Sequence, residues 1–188
     1  MRPVRLPAGL EDKKLEIYLH NGDLRVLYNG KTTFFELLPE SIRDAFTEHM
    51  LTNKPAMASL KNDFNLEGAE NMLVQYIMCN FGNFDGIPDM DEDGTVYPEC
   101  WNCGNRGSCP GEGKVCSRIQ GPNGLLTKRE TEIFFLLIDG ISHKMIADKF
   151  GTHIQTIETQ LKDIREKLGC HSSIEVMDFA IRRKHILI

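Results

Sequence analysis

The chain has 188 residues, 41% of them hydrophobic and 26% charged, with a formal net charge of −5. This is an ordinary balance for a globular protein, and no apolar run approaches the roughly 18 residues that a membrane helix needs. The opening stretch MRPVRLPAGLEDKK has positive charge but no apolar segment behind it, so it does not read as a signal peptide. A bacterial-type cytoplasm is the expected compartment, and there thiols stay reduced.

The charge is unevenly placed. Residues 1–124 carry 12 Lys and Arg against 18 Asp and Glu, and residues 125–188 carry 10 against 9. The first two thirds are acidic and the last third is close to neutral.

Taken in chain order, KKLEIYL and LRVLY alternate apolar and polar residues and flank Asn21-Gly22. Asn29-Gly30 then precedes KTTFFEL. Short alternating runs joined by Asn-Gly predict an antiparallel β-meander. Pro39 and Glu40 open a helical pattern with Ile42, Phe46 and Met50 on one face, and Asn53-Lys54-Pro55 breaks it. A short helix is expected around AMASLKNDF. Another is expected over LEGAENMLVQYIMCNF, apolar at Leu73, Ile77 and Phe81, with Tyr76 and Cys79 beside them. Residues 1–82 therefore read as a small α+β domain.

Residues 83–124 are dominated by glycine, proline and aspartate, and read as an acidic, cysteine-rich loop or linker. Asp89-Met90-Asp91-Glu92-Asp93-Gly94 has the opening of an EF-hand calcium loop. The twelfth position, where a bidentate glutamate is required, is Cys100. The segment therefore reads as an acidic turn whose carboxylates accept backbone N–H bonds.

Cys100, Cys103, Cys109 and Cys116 follow with spacing C-x2-C-x5-C-x6-C and no histidine among them. Four thiolates suit a tetrahedral structural zinc or an iron–sulfur cluster. Thiols without metal, reduced or partly paired in a disulfide, remain open. A metal would act as a clasp, offsetting the entropy of ordering so many glycines. Trp101 is either a cover for such a site or an anchor in a small core.

From Leu125 the pattern is helical. Thr127 and Glu130 form a capping box, followed by Ile133, Phe134, Leu137 and Ile138 on one face and by Gly140. Ser142 caps a second helix with Ile146 and Phe150, closed by Gly151. A third carries Ile157, Leu161, Ile164 and Leu168 inward and closes at Gly169. Its other face holds Gln155, Thr156, Glu158, Thr159, Lys162 and Arg165. SSIEVMDFAIRRK gives a fourth helix, over 173–184. Two short helices joined tightly, the second with a polar outer face, make a helix-turn-helix.

The order LTKRETEI, DGISHKMIA, QTIETQLKDIREKLG, SSIEVMDFA over residues 125–188 resembles the LuxR/GerE-type DNA-binding domain, which reads L-T-x-R-E-x-E-V, G-x-S-N-K-E-I-A and T-V-K-x-H-x-x-x-I-x-x-K-L-G. The resemblance implies an all-α four-helix domain that binds double-stranded DNA through the third helix, with Lys144 of the second helix on phosphate. It also implies homodimerisation through the fourth. Three positions depart from the pattern. Glu158 replaces its lysine, Gln160 its histidine, and His153 the serine that opens the third helix, where Thr152 offers another cap. A glutamate repels phosphate but accepts from cytosine N4.

The whole chain thus reads as a two-part transcriptional regulator: an α+β N-terminal domain with a Cys-rich loop, then a helix-turn-helix. No nucleophile–base pair or open metal site is recognisable, so it is not read as an enzyme. A protein-interaction adaptor that has lost DNA binding, or a sigma-factor-like promoter binder, is the alternative.

Overall fold

The computed structural model describes residues 6–182. The chain divides into two compact units. One holds Met1–Cys103 and Gly113–Ser117, and the other Gly104–Glu112 and Arg118–Ile188. The segment expected as a linker is thus shared out between them.

In the N-terminal unit, strands β1 (Leu15–His20), β2 (Asp23–Tyr28) and β3 (Lys31–Phe34) form an antiparallel meander in the order β1-β2-β3. Register is set by the two tight turns, which pair His20 with Asp23 and Tyr28 with Lys31. Asn21 and Gly22 have φ of 54° and 87°, and Asn29 and Gly30 of 50° and 70°. These are the left-handed conformations that a two-residue hairpin requires and that Asn-Gly supplies. A 3-10 turn at Phe35–Leu37 leads to helices α1 (Glu40–Thr52), α2 (Lys54–Asn62) and α3 (Ala69–Asn80). Asn53 ends α1 and caps α2, its side chain accepting from Ala56 N at 3.1 Å.

The core gathers Leu15, Ile17 and Val26 from the sheet with Phe46, Met50, Leu60, Tyr76, Ile77 and Phe81 from the helical part. Phe46 meets Phe35 and Phe81 edge-on, at ring separations of 5.7 and 5.2 Å, a favoured aromatic geometry. The buried face of α3 includes the expected Tyr76 and Ile77, with Phe81 just after the helix, and is wider than expected. Met72, Tyr76, Ile77 and Asn80 are buried, while Leu73 is only partly so. Asn80 turns inward because its side-chain N–H groups donate to Tyr76 O and Val115 O at 2.9 and 3.0 Å.

The acidic segment is ordered against β1. Leu15 N donates to Met90 O at 3.0 Å and Asp89 N to Leu15 O at 2.8 Å. Asp91 Oδ1 accepts from Asp93 N and Thr95 N, the expected acidic turn. Trp101 packs on the backbone of Gly82, where a Cβ would run into its ring.

The C-terminal unit contains a short hairpin, β4 (Gln120–Gly121) with β5 (Gly124–Leu125). Helices α4 (Lys128–Ile138), α5 (His143–Phe150), α6 (Ile154–Leu168) and α7 (Ser173–Arg182) follow. Residues 183 and 184 of the expected last helix lie outside the described residues. Among the described residues no helix is long and apolar enough to cross a membrane.

Candidate nucleic-acid interface

Helix α4 begins at the expected capping box. Thr127 N donates to Glu130 Oε2 at 2.7 Å, and Glu130 N to Thr127 Oγ1 at 3.3 Å. The apolar surface of α4 is wider than one face, since Phe135 is buried along with Ile133, Phe134, Leu137 and Ile138. Ser142 caps α5 by accepting from Met145 N at 3.3 Å, and Gly151 closes it with φ 59°. Phe150 is covered by the guanidinium of Arg129, 3.3 Å from its ring centroid.

Helix α6 has 15 residues, about 22 Å at 1.5 Å per residue. Ile157, Leu161, Ile164 and Leu168 are buried, the inward stripe read from the sequence. The N-cap position falls on His153 rather than Thr152, and the His153 side chain makes no capping bond.

The end of α6 is fixed from two sides. Lys167 Nζ reaches both carboxylate oxygens of Glu130, at 2.8 and 2.6 Å. Asn123 in the β4–β5 turn donates from N to Lys167 O at 3.0 Å and from Nδ2 to Glu166 O at 2.8 Å. Two of the carbonyls that a helix end leaves over are thereby satisfied. This requires close approach, because a Cβ on Gly121 would strike Lys167 O. Burial pushes the Glu130 carboxyl up, but the bonds from Lys167 and Thr127 outweigh it and hold the group below its usual range.

With α6 so anchored, its opposite face is open. Gln155, Thr156, Glu158, Thr159 and Lys162 are exposed, as is Lys144 on α5, and Arg165 is half-buried. The Thr159 hydroxyl donates to Gln155 O at 2.9 Å within the helix. The face carries Lys162 and Arg165 beside Glu158 and Asp163, a mixed charge. On α7, Val176 and Ala180 are buried while Ile174, Met177 and Ile181 form an exposed apolar stripe.

Residues 124–180 match the family model described as bacterial regulatory proteins, luxR family. This segment is a LuxR-family helix-turn-helix domain. Over 69 residues the chain is 41% identical to the uncharacterized response regulatory protein YgeK of Escherichia coli, a span of 37% of this chain and 46% of that one. It is 36% identical over 63 residues to the oxygen regulatory protein NreC of Staphylococcus aureus, covering 34% of this chain and 29% of that one. The chain thus spans less than half the length of these curated relatives. No solved structure matches.

Cys100, Cys103 and Cys116 fall in the N-terminal unit and Cys109 in the C-terminal one. Among the described residues no three His, Cys, Asp or Glu side chains are gathered to hold a metal. Residues 104–112 contain a buried carboxylate contact. Glu112 Oε2 accepts from Gly107 N at 2.7 Å, and Arg106 Nη1 lies 3.5 Å from Glu112 Oε1, with both side chains almost fully buried. Gly107, with φ 83°, sits so close to Lys128 O and Glu132 that no Cβ fits there. The spacing of the cysteines carries no signal for this pair. A lone Arg and a lone Glu six residues apart in a glycine-rich loop read as surface charges.

Proposed function

We propose that the protein is a transcriptional regulator that binds double-stranded DNA by laying α6 in the major groove. The observation that carries the reading is the division of α6 inside a LuxR-family domain. Its apolar stripe is spent on the core, and its polar face is held outward by the Glu130–Lys167 tie and the Asn123 cap. Gln155, Thr156, Glu158, Thr159 and Lys162 are the base-reading candidates, with Lys144 and Arg165 on the backbone. Glu158 accepts from a cytosine amino group and weakens the attraction to phosphate. The relatives' names, a response regulatory and an oxygen regulatory protein, agree with a regulatory role, and DNA binding would place the protein in the cytoplasm. The stripe Ile174, Met177, Ile181 on α7 supports pairing of two copies over half-sites.

The test is selection of bound sequences from random duplexes, followed by gel shifts on the selected site. Lys162→Ala is expected to weaken binding by about 1–3 kcal/mol and to relax preference at one base position. Unchanged affinity and preference would remove α6 from the interface. Glu158→Lys is expected to tighten non-specific binding and steepen the dependence of log K on log salt.

The acidic members of the exposed face, Glu158 and Asp163, favour a second reading, an adaptor whose α6 face meets a basic protein partner. Failure to enrich any duplex would support it. Zinc or an iron–sulfur cluster at the four cysteines is a separate proposal resting on their sulfur-only spacing, and elemental analysis of anaerobically purified protein decides it.

A further inference from the structure

A groove of about 550 Å³ lies within the N-terminal unit, walled by α1, the start of α2, α3 and the strap Gly113–Ser117. That is within the size range of small-molecule sites, about 300–1,000 Å³. We propose that it binds a small monocarboxylate with an apolar body.

The polar groups of the wall fix this chemistry. Asn53 uses its carbonyl oxygen on Ala56 N at 3.1 Å, capping α2 beside the groove. Burial holds the Tyr76 phenol above its usual range, so the group stays protonated. Tyr76 Oη lies 3.0 Å from His49 Nδ1. Burial pushes His49 down, so the ring is neutral near neutral pH. With the protonated phenol donating its O–H to Nδ1, the ring proton sits on Nε2. The pair Tyr76–His49 then ends on a donor.

The remaining charge is at the rim, where Lys114 Nζ sits 2.7 Å from Asp63 Oδ2, half-exposed. Lys114 is the one lining side chain with a fixed charge. Asn80 is committed to structure, both of its donations going to backbone carbonyls, one of them on the strap. Pro55, Pro98 and Val115 supply the apolar walls. A neutral N–H donor, an ammonium that exchanges the exposed Asp63 carboxylate for the ligand's own, and apolar walls complement a ligand with one anionic acceptor and an apolar body.

The strap adds a regulatory consequence, which rests on the DNA-binding reading above. Gly113–Ser117 belongs to the N-terminal unit, yet Glu112 before it and Arg118 after it belong to the other. A ligand that grips the strap therefore acts on a segment joined by the chain, at both ends, to the helix-turn-helix unit.

The test uses the full chain and calorimetric titration with benzoate, phenylacetate and indole-3-acetate, with benzamide as the uncharged comparison. At least one carboxylate is expected to bind in the millimolar range or tighter. Lys114→Met and His49→Gln, each checked for an unchanged circular dichroism spectrum, are expected to weaken that binding about tenfold or more, which is about 1.4 kcal/mol. Lys114 is half-exposed, so its variant keeps the fold even where the His49 variant does not. No binding by any of the three overturns the proposal, as does binding that Lys114→Met leaves unchanged. Benzamide binding as tightly as benzoate overturns the carboxylate class. Gel shifts with and without the bound carboxylate then read the consequence separately, since a ligand that binds without altering DNA affinity removes the coupling and leaves the site.

Discussion

In the N-terminal unit, Glu16 and Asp89 lie fully inside, and among the described residues neither is in an ion pair. Glu16 Oε1 accepts from Asp85 N and Gly86 N at 2.6 and 2.5 Å, and Asp89 Oδ2 from Ile17 N at 2.6 Å. Glu16 Oε2 is buried without a hydrogen-bond partner. In the C-terminal unit Glu130 is tied to Lys167 and Glu112 to Arg106. A carboxylate taken out of water keeps its charge when a cation goes with it and otherwise takes up a proton. Burial, with Asp85 adding repulsion, raises Glu16 from the usual 4.5 to about 7. Burial raises Glu99 from 4.5 to about 8, with Asp85 and Glu16 as like-charged neighbours. Asp89 is pushed up by burial and then by Glu99, Glu16 and Asp85. Glu130 is held low. The same residue type therefore makes one unit prefer acid and the other prefer neutrality.

The largest expected effect is that of pH itself. The folded N-terminal unit keeps protons that its unfolded chain releases above about 4.5, so its stability is full below that value. It is lost as pH rises through about 7 and then about 8. Spread over the range from about 4.5 to about 8, the loss amounts to several kcal/mol. Residue-resolved hydrogen exchange from pH 5 to 9, corrected for intrinsic rates, is expected to show protection falling in β1 and β2 and holding in α4 and α6. Equal trends in both units would break the contrast.

Next come two matched substitutions. Glu16→Gln keeps an oxygen for Asp85 N and Gly86 N and removes the buried charge, so it is expected to stabilise the N-terminal unit at pH 9 by about 2 kcal/mol. Glu130→Gln keeps an oxygen for Thr127 N and loses the charge that faces Lys167. It is expected to destabilise the C-terminal unit at pH 7 by about 1–2 kcal/mol. Opposite signs in denaturant titrations sharpen the comparison, and like signs end it. The smallest effect is at the uncapped start of α6. There His153→Ser supplies the missing oxygen and is expected to add up to about 1 kcal/mol to the C-terminal unit, read as a shift in its thermal midpoint.

Much of the C-terminal unit was legible because its determinants are local. The capping box, Ser142, Gly151, Gly169 and the stripe at 157, 161, 164 and 168 are set by residues a few places apart, and the structure places each where periodicity put it. The meander was legible for the same reason, through Asn21-Gly22 and Asn29-Gly30. Glu16 was not. In KKLEIYL it alternates with Leu15 and Ile17 and so reads as the wet side of a strand. It is buried because residues 85 and 86, some seventy places on, cover that side. Gly121 against Lys167 is likewise a long-range approach with no local signature. So are the groove at His49 and Tyr76 and the pair Arg106–Glu112, each assembled from distant or unremarkable positions. The polar face of α6 could be listed from the sequence, but the devices that hold it outward could not.

The interleaving of residues 104–117 between the two units has a consequence for modularity. A DNA-binding module that ends cleanly at its first helix can be moved from gene to gene by one exchange. Here an exchange at residue 124 leaves behind Gly107, Arg106 and Glu112, which complete the surface around Lys128 and Glu132. An exchange ahead of Gly104 carries away Val115, a member of the other unit's core. Either hybrid inherits one incomplete half, so a grafted version needs a rebuilt loop rather than a shorter linker.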